Sequence, residues 1–245
     1  MAEESLTGAH PSMINATSEL NFLYRGARAL AGFRARVALA WMRHGHLVRR
    51  RAISAYTQSH HDGKLHIGAS QPLDGWLNSQ ILGRVPIDIA RRLPLPDSSF
   101  VMIYSSHLVE HIHRLQFERF LADSLRVLKP GGLHIVATPS VEKIARTLYG
   151  PDSGAKTMLM EAGTRFYPEP FHSEAQQINL TMRAFGHRFL YDIACMRAAG
   201  QAAGFASVDC IDNFELPDPH LKAYIAKKPP RWNAETETFV FRAPE

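Results

Sequence analysis

Short, continuous apolar runs alternate along this chain with stretches in which apolar residues recur every three or four positions. Lys64-Leu-His-Ile-Gly68, Phe100-Val-Met-Ile-Tyr-Ser105 and Leu133-His-Ile-Val-Ala137 are runs of the first kind, the pattern of strands buried on both faces of a parallel sheet. Phe205 to Ile211 and Thr236 to Arg242 predict two more strands. Leu115, Phe117, Phe120, Leu121, Leu125 and Leu128 form an apolar stripe at helical spacing. Lys129-Pro-Gly-Gly132 then predicts a turn into the third run. A further helix is expected from Asp192 to Ala203, with Asp192 as N-cap and Gly204 just past its end. Strands alternating with helices predict an α/β fold with helices on both faces of the sheet. Ligands in such sheets bind beyond the carboxyl ends of the strands, so the residues after Ile67, Tyr104 and Ala137 are the first to inspect.

The stretch before Lys64 has a different character. From Glu19 to Ile53, Leu20, Leu23, Ala27, Leu30, Ala31, Val37, Ala38 and Trp41 recur at roughly helical spacing with arginines between them, predicting one or two helices. Residues 1–62 carry eight arginines against four acidic residues, so a basic arm holds most of the net charge of +5 on the 245-residue chain. Residues 1–18 are polar and are expected to be disordered. The plain reading of the arm is a helix packed on the domain with its arginines in water. Its use as a peripheral membrane foot, a protein or homodimer contact, or a cap over the active site stays open. No aromatic stacking platform or DNA-reading motif accompanies the charge, which argues against a nucleic-acid partner.

The remaining composition narrows the class. At 45% hydrophobic and 21% charged residues the chain reads as globular, excluding collagen-like, coiled-coil and wholly disordered readings. The apolar run Val37 to Met42 falls far short of a membrane span, and the first residues have no secretory-signal pattern. Cys195 and Cys210 cannot form a disulfide scaffold and are expected to be buried thiols in a reducing compartment. A cytoplasmic location is the expectation.

The strand ends carry a series of motifs. Leu65-His-Ile-Gly-Ala-Ser70 with Gly75-Trp-Leu-Asn78 comes first, then Asp88-Ile-Ala with Leu93-Pro-Leu-Pro-Asp-Ser-Ser-Phe100. Ser106-His-Leu-Val-Glu-His111, Arg126-Val-Leu-Lys-Pro-Gly-Gly132 with Thr138-Pro139, and Gly186-His-Arg-Phe-Leu-Tyr-Asp192 with Ala203-Gly-Phe205 follow. In this order the series resembles class I S-adenosylmethionine-dependent methyltransferases, most closely the type 11 branch, over about residues 64–211.

The resemblance implies a Rossmann-like, seven-stranded, mostly parallel sheet over residues 63–245, with the helical arm of residues 1–62 attached. It implies S-adenosylmethionine as cofactor. Gly68, Ala69 and Ser70 would line its methionine part, Gln80 its ribose and Asp88, after a third family strand, its adenine; Ser106 and His107 would close over the methionine end. Two departures from the family pattern stand out. Ser70 replaces the second glycine of the first motif, and Gln80 replaces the acid that grips the ribose hydroxyls.

Methyl transfer to a hydroxyl needs a base, and an imidazole suits that task. His107, Glu110, His111 and His113 cluster after the second run, making His111 or His107, oriented by Glu110, the candidate catalytic group. His-Leu-Val-Glu-His also fits the H-x-x-E-H pattern of inverted zinc peptidases. That pattern requires a helix and a distal carboxylate, so no metal is expected. The segment at about 141–179 is rich in Gly, Pro and aromatics and is expected to be a lid or acceptor insertion, with Tyr149, His172, His187 and Tyr191 as candidate acceptor contacts. The chain is therefore expected to O-methylate a sugar, glycolipid precursor or secondary metabolite. A catalytically silent partner-binding subunit, or a cofactor-binding enzyme of natural-product biosynthesis with non-methylation chemistry, are the alternatives.

Overall fold

The computed structural model describes residues 46–80, 85–151, 154–164, 173–212 and 215–245. Most of the basic arm, including residues 1–18, and the candidate His172 lie outside the described residues. The arm's last stretch is helix α1 (His46–Ser59). On it Arg49 is buried, with its guanidinium directed at the carbonyl of Pro86.

Six strands form the sheet: β1 (Lys64–Ile67), β2 (Leu77–Ser79), β3 (Phe100–Ser106), β4 (Leu128–Pro139), β5 (Ser207–Ile211) and β6 (Thr236–Arg242), in the order β2-β1-β3-β4-β6-β5. The first four run parallel, and β6 runs antiparallel to both β4 and β5. Six strands stand among the described residues where seven were expected. The stretch from Val85 to Ser99, where the missing strand would fall, is turns and irregular backbone.

Alternation along the strands builds two cores. Ile103, Phe239 and Phe241 point to one face, where α2 (Arg114–Val127) contributes Phe117, Phe120 and Leu121 and α6 (Ile193–Ala203) contributes Met196 and Ala199. Met102, Tyr104 and Val240 point to the other, against Leu221, Tyr224 and Ile225 of α7 (Pro219–Ile225) and Trp232 of α8 (Pro230–Glu235). Asp192 accepts the amide of Cys195 at 2.6 Å, and Gly204 closes α6 at φ 95°, as the caps predicted.

Three local expectations are corrected. Leu115 of the apolar stripe is 60% exposed, and Leu128 belongs to β4 rather than to the helix. Lys129-Pro-Gly-Gly132 is no simple turn. Leu128 pairs with Phe100 and Leu133 with Met102, so four residues bulge from a continuing strand. The C-terminal strand end supports the bulge, since the Gly131 amide donates to Pro244 and the Ala243 amide to Gly132. Cys210 is exposed on the edge strand β5, and Cys195 is half-buried.

The insertion after β4 is helical where described. Helices α3 (Val141–Tyr149), α4 (Gly154–Thr164) and α5 (Glu174–Arg183) enclose a small core of Ile144, Leu148 and Leu159. No helix among the described residues is long and apolar enough to cross a membrane.

Candidate functional site

The sheet brings three strand ends level. Ile67 pairs with Ser79 on one side and with Ser105 on the other. Gly68 and Gln80, which follow, therefore leave the sheet at the height of Ser106, the last residue of β3. The chain passes from β1 outward to β2 and returns to β3 on the opposite side of β1. This reversal opens a crevice at the strands' carboxyl ends, where open α/β sheets take ligands.

The crevice walls follow from local chemistry. Gly68 turns at φ 75°, a conformation in which a side chain is strained. A Cβ there would meet the Leu108 side chain at 3.3 Å, so the loops after β1 and β3 face each other closely. Ala69 is buried, with its amide donating to Ser79, while Ser70 is exposed and Gln80 half-buried. Half-buried Asp88 follows irregular backbone among the described residues. Its carboxylate accepts the Ala90 amide at 3.0 Å and lies 3.3 Å from the Arg91 guanidinium.

Beyond β3 the chain turns sharply. His107 has φ 47°, an uncommon conformation for a residue with a side chain, and its amide donates to Ala137 of β4. Its Nε2 lies 2.9 Å from the Thr236 hydroxyl, and its Nδ1 lies 3.6 Å from Oε1 of Glu110. A single 3-10 turn, Val109–His111, carries Glu110 and His111. The H-x-x-E-H stretch is thus a strand end and a turn rather than a helix, and the peptidase geometry does not form.

Glu110 is fully buried. The Thr138 hydroxyl donates to its Oε2 at 3.0 Å, and its backbone carbonyl accepts the Arg188 amide at 2.7 Å. The second contact draws in the segment carrying His187, whose ring lies edge-on to that of His111 at 5.0 Å. Burial sets the protonation here. It raises the Glu110 carboxyl to about 7 and pushes His107 down to about 3 and His187 to about 4. It also lowers His111, against the opposing pull of the Gly186 and Phe185 carbonyls. The imidazoles are accordingly neutral near pH 7, and the His107–Glu110 approach is not a resting ion pair.

The structure gathers His107, Glu110, His111 and His187, and leaves two other sequence candidates apart. Tyr149 is 64% exposed at the end of α3. Tyr191 is a core residue, its ring 4.8 Å from both Phe117 and Phe189. Two site residues escaped the sequence reading. Thr138 had a signal, since Thr138-Pro139 ends the third apolar run. Thr236 had none, because only the antiparallel pairing of Pro139 with Thr236 brings it to His107. A separate groove of about 560 Å³ lies between α1 and residues 92–97, and none of the crevice residues lines it.

Residues 78–136 match a family model described as a methyltransferase domain. No curated protein matches the chain significantly. Among solved structures, the chain is similar to Haemonchus contortus phosphoethanolamine N-methyltransferase 2 in complex with phosphomonomethylethanolamine and S-adenosylhomocysteine. Identity is 13%, coverage is 75% of this chain and 49% of that one, and the TM-score is 0.43. The chain thus spans about half the length of that relative. It is also similar to an S-adenosylmethionine-dependent methyltransferase from Mesorhizobium loti, with 18% identity, 71% and 72% coverage and a TM-score of 0.36.

Proposed function

We infer that this chain, whose residues 78–136 match a methyltransferase domain, is a class I S-adenosylmethionine-dependent methyltransferase that O-methylates a small-molecule acceptor. The acceptor class we favour is a sugar, glycolipid precursor or secondary-metabolite hydroxyl. The observation that carries the reading is the level set of strand ends at Gly68, Gln80 and Ser106 beside a group of neutral imidazoles. The crevice fits the cofactor: a glycine turn allows close backbone approach, and Ser70, Gln80 and Asp88 offer polar groups along its length. S-Adenosylmethionine supplies, when bound, a methyl carbon already activated by its sulfonium.

The protein's part is to hold the acceptor in line, exclude water and take a proton. His107 is the base in this reading; burial lowers it to about 3, so it takes the proton only with ionised Glu110 beside it. Its Nε2 is fixed by Thr236, and its Nδ1 makes no close hydrogen bond, so Nδ1 is the atom that accepts the hydroxyl proton. The imidazolium that forms faces Oε1 of Glu110, whose ionised form balances the new charge. The α3–α5 insertion closes the acceptor side. His111 and His187 line the acceptor wall.

Calorimetric titration with S-adenosylmethionine and S-adenosylhomocysteine tests the cofactor step. Micromolar binding of both is expected, and no binding at millimolar ligand would overturn the reading in favour of a catalytically silent, partner-binding subunit. In a screen of hydroxyl acceptors, sugars first, His107→Ala is expected to lower turnover at saturating cofactor by about 100-fold or more. Undiminished turnover removes His107 as base.

A further inference from the structure

Glu110, His111 and His187 present one ligand atom each, and these three atoms all lie within 4.8 Å of one another. Two imidazoles and one carboxylate are the donor set of open, three-ligand transition-metal sites. The carboxylate supplies the independent observation. Glu110 is fully buried, Thr138 occupies its Oε2, and its Oε1 has no hydrogen-bond partner. A buried carboxylate oxygen without a partner is rare and asks for a ligand.

The surroundings of the other two donors have the form of a metal site's outer shell, in which each ligating imidazole donates its second N–H to a carbonyl. The Nδ1 of His187 bonds the carbonyl of Thr181 on α5, leaving its Nε2 lone pair for a ligand. The carbonyls of Gly186 and Phe185 face the ring of His111. Both histidines are half-buried, so the cluster keeps one side open to solvent for entry. A tetrahedral ion bound at about 2.1 Å sets its donors about 3.4 Å apart. The three atoms therefore close by at most about 1.4 Å on binding, within reach of side-chain rotation.

We propose that Glu110, His111 and His187 form a binding site for one divalent transition-metal ion of the manganese-to-zinc series. The nitrogen donors disfavour magnesium and calcium, and the absence of thiolate among the donors disfavours copper(I). The proposal reverses the sequence-based expectation of no metal. That expectation tested only the peptidase spacing of His107 and His111 and did not include His187, which reaches the site from a distant part of the chain. His107 lies outside the triad, 3.6 Å from the same Oε1 of Glu110, so a bound ion and a protonated His107 compete for that oxygen. Three protein ligands leave coordination positions open, and an acceptor hydroxyl bound there would lose its proton more readily. That use rests on the methyl-transfer reading, whereas ion binding does not.

The test uses the full chain, stripped with a chelator and titrated with Zn²⁺ and, separately, Co²⁺ in the absence of cofactor. One ion per chain is expected to bind at micromolar concentration or tighter and to raise the melting temperature. Zn²⁺ is expected to protect His111 and His187, but not exposed His61, from histidine acylation mapped by mass spectrometry. His187→Ala and Glu110→Gln are expected to weaken binding at least ~100-fold, while His61→Ala keeps it. No saturable binding of either ion by the parent chain, or binding that leaves His111 and His187 unprotected, overturns the proposal without reliance on any variant. Cofactor titration is a separate readout, so failure of the methyltransferase reading and failure of the metal site are distinguishable.

Discussion

Thr138 donates its hydroxyl to Oε2 of Glu110 at 3.0 Å, so the end of β4 holds the carboxylate carried by the turn after β3. Both residues are fully buried. Thr138→Val keeps the shape of the side chain and removes the donor. Stability is expected to fall by about 1–3 kcal/mol, the cost of leaving a buried polar group unpaired. The hydroxyl favours the ionised carboxyl, so the loss should be larger well above pH 7 than below it. Urea unfolding of parent and variant at two pH values checks this, and equal stability at both would show that Thr138 does not support Glu110.

Acid should destabilise the protein chiefly through histidines. Burial lowers His66 and His187 to about 4 and His107 and His134 to about 3, from an ordinary value of 6.5. The unfolded chain then binds more protons than the folded one as pH falls below 6.5, so this stability is present above 6.5 and lost toward 3. Glu110 has the opposite sign: its contribution is present below 4.5 and lost as pH rises through about 7. The lowered histidines, His111 among them, outnumber the raised carboxyls Glu110 and Glu235, and maximum stability is expected near neutral pH with a decline on acidification. His134 isolates one contribution. Its ring lies between Phe120 and Phe241, 5.1 and 5.9 Å away, and neither nitrogen has a partner. His134→Leu should raise stability at pH 7 and reduce the slope below pH 6.5 by up to ~1.4 kcal/mol per pH unit. Chemical denaturation from pH 5 to 8 with chelator present measures both, and an unchanged slope would refute the assignment.

The part of this fold legible in the sequence is the part written in local pattern. β1, β3 and the Leu133–Ala137 half of β4 are continuous apolar runs, and Asp192 and Gly204 mark the ends of α6 by side-chain and backbone chemistry that needs no distant partner. What long-range pairing decides was not legible. Pro130 and two glycines read as a turn, yet Phe100 and Met102 pair on either side of them and keep the strand going. The His111–His187 contact follows from the Arg188 amide seeking the Glu110 carbonyl, which no spacing rule encodes. Gly68 was readable as a turn residue; Thr236 at His107 was not, since it depends on the register of β6.

Gly200 offers a test of packing against propensity. An alanine within a helix is ordinarily about 1 kcal/mol better than glycine. A Cβ at Gly200 of α6 would come within 2.4 Å of Val208 and 2.8 Å of Phe241. Those atoms belong to β5 and β6, so α6 must lift from the sheet or the two side chains must leave their positions. Overpacking of this kind costs about 1–3 kcal/mol and outweighs the propensity gain. Gly200→Ala is expected to lower the unfolding midpoint, and a higher midpoint would mean that α6 packs less tightly than described.

Lys64 and Asp218 join the first strand to the helix on the far side of the chain. The Lys64 ammonium lies 2.6 Å from Oδ2 of Asp218, whose Oδ1 also caps α7 by accepting the Leu221 amide at 2.8 Å. The Asp218 side chain is 1% exposed and that of Lys64 32%, so water screens the pair only partly from the lysine side. The lysine and the cap together hold the carboxyl below its ordinary range, against the opposing and largest effect of burial. Asp218→Ala removes both interactions and should cost about 2–3 kcal/mol. Lys64→Met removes only the ion pair and leaves the cap, so its cost should be smaller, about 1–2 kcal/mol after allowance for solvent screening. A double-mutant cycle by urea unfolding at pH 7 separates the two contributions. A coupling energy below about 0.3 kcal/mol would mean the cap alone fixes α7. Because a depressed carboxyl contributes stability above its unfolded value, the parent's advantage over Asp218→Ala should shrink as pH falls through the acid range.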